Sequence, residues 1–405
     1  MKKWLYLVLA MVLLAGAVAI SGCGGGGGSQ FLDMLKLIPD TSDTRYSVYI
    51  SDHARIRELY NVNLPSLDTD GEVIVEYLTM LVGDYTALEN DPTASRRLGG
   101  VSFVSGFGPR QYALESPIRR QNIGFGPLDV EVDILAGFSP MEYEAIKGDF
   151  DLTAIEDALS QYDESVSPDT DSYHGVTLYI WSYQVNEIFQ NERFAPPVFD
   201  HLGRGTTLAV QEDYIFNIDT PELVKTMIDA SQGREDSLAD NPDFSLMAEA
   251  LSEMGAYSCF LTDQVMYVNN RGLMELMAAM MVEPNESIEE VLQHLKDDIV
   301  TAAGGELLSV FRTFATGIGE DEEGPFMAIV FVYDSPEQAS SNVEVFRQYI
   351  EEGVSLWSGR PWADRVDSFE IWADGRSLRA KLRGYITLAW MDIVYIRDTL
   401  LWCGE

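Results

Sequence analysis

The side chains that most often carry catalysis or bind metals are few in this chain, and their spacing suits neither task. A zinc-binding helix needs two histidines four residues apart, and none of the four histidines meets this condition: His53, His174, His201 and His294. The Gly-x-Ser-x-Gly motif that presents a serine nucleophile in many hydrolases is also missing. Cys259 has no basic neighbour in the sequence that would activate its thiol. The sequence therefore predicts no catalytic residue, no metal ligand and no cofactor.

Carboxylates are abundant, since 65 of the 405 residues are Asp or Glu. Two carboxyl groups at a fixed separation suffice for glycoside hydrolysis, but among so many acids some pair lies close in any fold. Three acidic segments could bind calcium: residues 68–72, 169–171 and 320–323. Counted from Asp68, the twelfth position that an EF-hand fills with Glu is Thr79. We interpret these segments as solvated turns, with a weak calcium site and a carboxylate-dependent hydrolase as alternatives.

Tryptophans are concentrated near the C-terminus. Trp357 and Trp362 flank residues 358–361, a Ser-Gly-Arg-Pro segment typical of a loop. A tryptophan ring on a loop, beside carboxylates, can stack on a sugar or on another apolar ligand. Trp357 and Trp362 are therefore the predicted ligand-binding residues, with burial in the core as the alternative.

The N-terminus has the layout of a secretory signal. Lys2 and Lys3 form a short basic region, residues 4–19 are apolar, and small residues precede Cys23. A run of glycine and serine at positions 24–29 follows, which predicts a flexible tether of roughly 12–15 Å.

The tetrapeptide Ile-Ser-Gly-Cys at positions 20–23 resembles a bacterial lipobox. The resemblance covers residues 1–23 only. It implies that the Cys23 thiol is lipidated, that residues 1–22 are removed, and that Cys23 becomes the mature N-terminus. The alternative is an uncleaved helix of 17 apolar residues, which is at the lower limit for a membrane span. Both readings place the remaining chain outside the cytoplasm.

The formal net charge of −38 limits the classes of partner. Nucleic-acid binding needs clustered cations, so it is not expected. Electrostatic docking on anionic lipid is opposed as well, which leaves the lipid on Cys23 to attach the protein to the membrane. With 46% hydrophobic and 11% aromatic residues, the chain is expected to be globular.

One pattern recurs along the chain, in which an apolar strand ends at an acid and a helix follows. It occurs at residues 46–60, 143–162, 213–231 and 327–352. In the last two, the helix starts share the motif Asp-Thr/Ser-Pro-Glu. Thr220 and Ser335 are suited to cap free amides, and Pro221 and Pro336 are suited to the first helical position. We therefore predict that both motifs start helices and that neither is part of an active site.

These elements predict an α+β fold with mostly antiparallel sheets and helices packed on one face. A polar segment at residues 232–242 predicts a boundary between an N-terminal domain (31–235) and a C-terminal domain (236–405). A signal peptide (1–22) and a lipidated cysteine with a Gly-rich tether (23–30) precede them. Because the strand–helix unit recurs on both sides, the two domains are predicted to be related.

The functional hypothesis is a lipoprotein anchored at Cys23 to the cell membrane or outer membrane and facing the extracytoplasmic side. It is expected to be non-enzymatic and to bind a small-molecule ligand or an envelope protein. A structural or assembly protein without a small-molecule site is the alternative, followed by the hydrolase. Export permits a disulfide between Cys259 and Cys403, and the sequence leaves their pairing open.

Overall fold

The computed structural model describes ten stretches of the chain: residues 27–66, 72–74, 76–77, 120–138, 141–161, 167–181, 206–268, 287–356, 358–384 and 402–404. Within them the helices are α1 (Gly27–Leu35), α2 (Ser42–Arg45), α3 (His53–Tyr60), α4 (Leu152–Ser160), α5 (Pro221–Ser231), α6 (Pro242–Glu253), α7 (Ile288–Ala302) and α8 (Pro336–Glu351). Short 3-10 turns lie at Pro127–Asp129 and Trp362–Asp364.

The strands are β1 (Val48–Asp52), β2 (Val130–Phe138), β3 (Met141–Gly148), β4 (Asp169–Tyr173), β5 (Val176–Ile180), β6 (Thr207–Val210), β7 (Tyr214–Ile218), β8 (Ala256–Thr262), β9 (Met266–Tyr267), β10 (Thr313–Asp321), β11 (Gly324–Val332), β12 (Val366–Asp374), β13 (Ser377–Gly384) and β14 (Trp402–Cys403).

The helix starts are those that the sequence predicts. The Thr220 hydroxyl accepts from the Leu223 amide, and the Ser335 hydroxyl accepts from the Gln338 amide. Both helices begin with proline, because the first helical position needs no amide donor. Asp52, which ends β1, caps α3 in the same way by accepting from the Arg55 amide.

Twelve of the described strands form one antiparallel sheet, in the order β12-β13-β11-β10-β8-β1-β2-β3-β7-β6-β5-β4. The short strands β14 and β9 form a separate parallel pair. The predicted α+β class with a mostly antiparallel sheet is confirmed. The alternation of residues 128–135 is compatible with a strand or a short helix, and residues 130–135 form the first part of β2. Asp374-Gly375 begins the turn between β12 and β13.

Helices cover both faces of this sheet, whereas the sequence predicted helices on one face. The α1 face carries Val48 and Ile50 and is covered by α1, α5 and α6. The α8 face carries Phe331 and Ile146 and is covered by α3, α4 and α8. The physical reason is that the central strands are apolar on both sides: all seven residues of β8 are buried. A strand that is buried on both faces needs a layer of cover on each.

The predicted domain boundary falls between α5 and α6, while the sheet continues across it because β1 pairs with β8. Each half has a central strand, a hairpin, a helix and a later hairpin whose last strand pairs with the first hairpin. The corresponding elements are β2–β3, α4 and β6–β7 in one half and β10–β11, α8 and β12–β13 in the other. That the two halves are related domains stays a prediction.

Two local expectations differ from the structure. α1 begins at Gly27, inside the segment predicted to be a tether, because the apolar residues Phe31, Met34 and Leu35 bury one side of this helix. The acidic segment 320–323, interpreted from the sequence as a solvated turn, forms the end of β10 as well as the turn that follows it.

Candidate functional site

The predicted binding loop is described at one of its two tryptophans. Trp362 is 1% exposed and lies in the 3-10 turn, where its amide donates to the Gly353 carbonyl at 3.0 Å. The Arg365 guanidinium lies 5.1 Å from the centre of its ring. The ring is thus covered by protein, and a ligand could stack on it only if this turn opened. Trp357, like Cys23, lies outside the described residues.

A row of buried polar side chains crosses the centre of the sheet on the α8 face. Ser258 on β8 pairs with Ser51 on β1, which pairs with Asp133 on β2. All three are at most 2% exposed. Within the described stretches, the Ser258 hydroxyl has no hydrogen-bond partner. Apolar residues would be buried here at lower cost, so this row is the strongest candidate for a functional cluster among the described residues.

His53 completes this cluster from the first position of α3. Its Nε2 lies 2.7 Å from Asp133 Oδ1, and both side chains are 2% exposed. The neighbouring Asp52 is buried too, and burial raises the pKa of its carboxyl group. The hydrogen bond from the Arg55 amide and the nearby cationic groups oppose this rise in pKa without cancelling it. The end of β1 and the start of α3 therefore place Asp52 and His53 next to each other, and His53 contacts Asp133 on β2. All three side chains are buried.

A second polar group continues the same face toward β7. Glu144 Oε2 accepts from the Asn217 amide at 2.9 Å, and Asn217 Oδ1 accepts from the Thr206 hydroxyl at 2.6 Å. Asp133 pairs with Ile146, so Glu144 is its diagonal neighbour on β3. Diagonal neighbours are roughly 7–8 Å apart. The sheet thus brings two buried carboxyl groups, Asp133 and Glu144, to the same face at a short separation.

This arrangement could exchange protons through the imidazole and carboxyl groups, but a substrate would first have to reach it. Asp133 is 2% exposed and Glu144 is 5% exposed. No group of three or more His, Cys, Asp or Glu side chains that could hold a metal occurs within the ten described stretches. The side chains of the polar cluster can donate and accept hydrogen bonds. They are therefore suited to bind a polar ligand or to stabilise the centre of the sheet.

Sequence reasoning missed this cluster because His53 and Asp133 are 80 residues apart. The sequence contains no local signal for it, because Asp133 alternates with Val132 and Ile134 as a solvent-facing acid on a half-buried strand would. Its partner can be identified only once β1 is known to pair with β2.

The two downstream cysteines are buried and are not joined by a disulfide, so the pairing left open by the sequence does not form. Cys259 packs with the core of the α1 face, while Cys403 packs with the core of the α8 face. Burial raises the pKa of the Cys259 thiol well above its ordinary value and that of Cys403 to about 12. Both thiols are therefore protonated and unreactive at neutral pH.

Among the described residues, no helix has both the length and the apolar character needed to cross a membrane. The sequence matches no protein-family model and no curated protein. Solved structures of the protein TP0453 show a distant similarity. Crystal form III has 10% identity, a TM-score of 0.34, and coverage of 88% of this chain and 96% of that chain. Form IV has 9% identity, the same TM-score, and coverage of 90% and 98%. Similarity at this level does not establish a shared function.

Proposed function

We propose that this protein is a lipoprotein of the cell envelope, anchored by lipid on Cys23 and facing the extracytoplasmic side, where it binds a ligand or a protein partner. The observation that carries the proposal is the lipobox-like sequence at positions 20–23, which is followed by a folded chain that starts at Gly27. The formal charge of −38 supports it, because a chain this acidic needs an anchor other than electrostatic attraction to stay on a membrane surface.

The chemistry of the described residues favours a binding role over catalysis. The polar cluster around His53 and Asp133 is almost fully buried, and the thiols of Cys259 and Cys403 are buried and protonated. Trp357 and Trp362 remain the proposed ligand-binding residues. Because Trp362 is already covered, Trp357→Ala is the more informative variant for ligand binding, and Trp362→Ala is expected to destabilise the protein instead.

The anchor is tested by Cys23→Ala in the native membrane, because this variant cannot be acylated. We expect the variant to leave the membrane fraction, while the wild-type protein shows a denatured mass lacking residues 1–22 and carrying acyl chains. A native mass spectrum of the wild-type protein then detects bound ligand as extra mass that denaturation removes. A wild-type protein whose denatured mass retains residues 1–22 and lacks acyl chains would show that the N-terminus is an uncleaved helix.

A carboxylate-dependent hydrolase is the second candidate, favoured by the Asp133–Glu144 pair. The backbones of diagonal neighbours are roughly 7–8 Å apart, a spacing from which two carboxyl groups can flank a glycosidic bond. We expect Glu144→Gln to abolish hydrolysis of nitrophenyl glycosides if this role is real. Glu131→Gln, at an exposed position on the same strand as Asp133, is the control. A wild-type protein without activity on such glycosides, or equal activity in both variants, excludes this pair as a catalytic site for them.

A further inference from the structure

Three large apolar side chains are exposed together at one end of the sheet. Tyr46 precedes β1 and is 43% exposed, Phe138 ends β2 and is 42% exposed, and Met141 starts β3 and is 37% exposed. The rings of Tyr46 and Phe138 lie 5.0 Å apart between centroids, and Phe138 pairs directly with Met141. We call these three residues the tip patch. Clustered exposed apolar side chains mark an interaction surface, whereas single ones need no explanation.

The tip patch lies on the same face of the sheet as the N-terminal helix. Tyr143, two residues from Met141 on β3, belongs to the buried cluster that also contains Leu35 at the end of α1, and Phe138 pairs directly with Met141. Side chains two residues apart on a strand point to the same face. The helix that follows the anchor and the tip patch are thus parts of one face.

The length of chain before α1 limits how far this face can be from the membrane. Cys23 precedes Gly27 by four residues, so lipid at Cys23 lies within about 15 Å of the start of α1. The helix itself has nine residues and is about 13 Å long. A short connection of this kind gives the tip patch a high effective concentration at the bilayer surface, so even weak contact is favoured.

We propose that the tip patch rests in the interface of the bilayer to which Cys23 anchors the protein, and that it prefers zwitterionic headgroups. This inference rests on the proposed anchor. Tyrosine and phenylalanine are suited to the boundary between headgroups and acyl chains. The formal charge of −38 repels anionic lipid, which leaves neutral headgroups as the surface that the patch can approach.

The test uses the full-length acylated protein in phosphatidylcholine vesicles, with a polarity-sensitive fluorophore on Met141→Cys. The native Cys259 and Cys403 are buried, so the introduced thiol is labelled selectively. Leu152→Cys is the matched control, because Leu152 is equally exposed at 37% but lies on α4, which covers the opposite face. We expect lipids with brominated acyl chains to quench the label at position 141 at least twofold and to leave the label at 152 unchanged.

Each outcome separates the tip patch from the anchor. Flotation with vesicles but no quenching at 141 overturns the tip-patch proposal and leaves the anchor intact. Failure to float overturns both. Quenching at 141 that persists in the double variant Tyr46→Ser with Phe138→Ser overturns the role of the rings. A blue-shifted label at 141 in vesicle-free protein shows that a second copy or another partner covers the patch instead of lipid.

The affinity of the patch itself is measured in the same vesicles on mature protein that begins at Cys23, lacks residues 1–22 and carries no lipid. We expect its partition coefficient to fall about tenfold when Phe138 is replaced by serine, because an aromatic side chain is withdrawn from the interface. Addition of anionic lipid should lower the partitioning further. Unchanged partitioning of Phe138→Ser, or stronger binding to anionic vesicles, contradicts the proposal.

Discussion

At the scale of single residues, Asp52 shows how one side chain serves two purposes with opposing demands. As the cap of α3 it must present an oxygen to the Arg55 amide, but its position at the end of the central strand buries its charge. Burial raises the pKa of the carboxyl group, which means that the folded state holds the proton more tightly than the unfolded chain does. At neutral pH the buried charge of Asp52 therefore lowers the free energy of unfolding, while its hydrogen bond to the Arg55 amide raises it.

Asp52→Asn separates these two effects, because asparagine caps helices as well as aspartate does and carries no charge. We expect the variant to have a higher free energy of unfolding than the wild type at pH 7. The gain should be lost as the pH falls through the usual range of an aspartate and vanish at about pH 3, where Asp52 is protonated in both the folded and the unfolded states. Urea unfolding at neutral and at acidic pH measures the difference in free energy of unfolding between the variant and the wild type. A variant that is destabilised at pH 7 would show that the charge makes favourable contacts with His53, Arg55 or Arg57 that outweigh its burial.

At the scale of elements, the helices are set by their first residues. α5 and α8 share the Thr/Ser-Pro-Glu start, in which the hydroxyl caps an amide, the proline fits the first turn and the glutamate lies near the positive end of the helix dipole. α7 begins with a capping box between Ser287 and Glu290. Such starts depend on neighbours in sequence only, which is why the sequence predicts the starts of α5 and α8 correctly.

Ser335→Ala tests how much of the stability of α8 comes from its cap. We expect the free energy of unfolding to fall by about 1 kcal/mol, since the Gln338 amide loses its acceptor. Ser335→Asp should retain wild-type stability, because its carboxylate accepts the same bond and suits the helix dipole. Ser341→Ala, an exposed serine of the same helix, is the control and should change stability little. Equal losses in Ser335→Ala and Ser341→Ala would mean that the cap contributes nothing specific.

At the scale of the whole molecule, the continuous sheet separates two cores and places one downstream cysteine in each. Cys259 belongs to the core of the α1 face and Cys403 to the core of the α8 face, so they cannot pair in the folded protein. The proposed export would expose the protein to oxidants. Burial on opposite sides of the sheet keeps both thiols reduced without any further device.

Thiol counting tests both this arrangement and the anchor. In the mature lipoprotein we expect no reaction with a thiol reagent under native conditions and two reactive thiols in denaturant, because the Cys23 sulfur carries lipid. The unprocessed precursor should show three thiols in denaturant. Rapid labelling of the native protein would contradict the burial of Cys259 and Cys403. Thiols that appear in denaturant only after reduction would contradict their free state.

The sequence by itself determined those features that depend on short-range patterns. The signal-like N-terminus, the acidic surface, the helix starts at Pro221 and Pro336 and the turn at Asp374-Gly375 are all decided by residues within a few positions of one another. The α+β class with antiparallel pairing follows from the same local signals, because hairpins join strands that are adjacent in the chain.

Only the tertiary structure decided which distant residues meet. The pairing of β1 with β8 and β2 joins the two halves into one sheet and brings His53 to Asp133. It also places helices on both faces, buries Trp362 and gathers Tyr46, Phe138 and Met141 into the tip patch. Strand order and register are properties of the whole chain, since they depend on which arrangement buries the most apolar surface on both sides of the sheet at once.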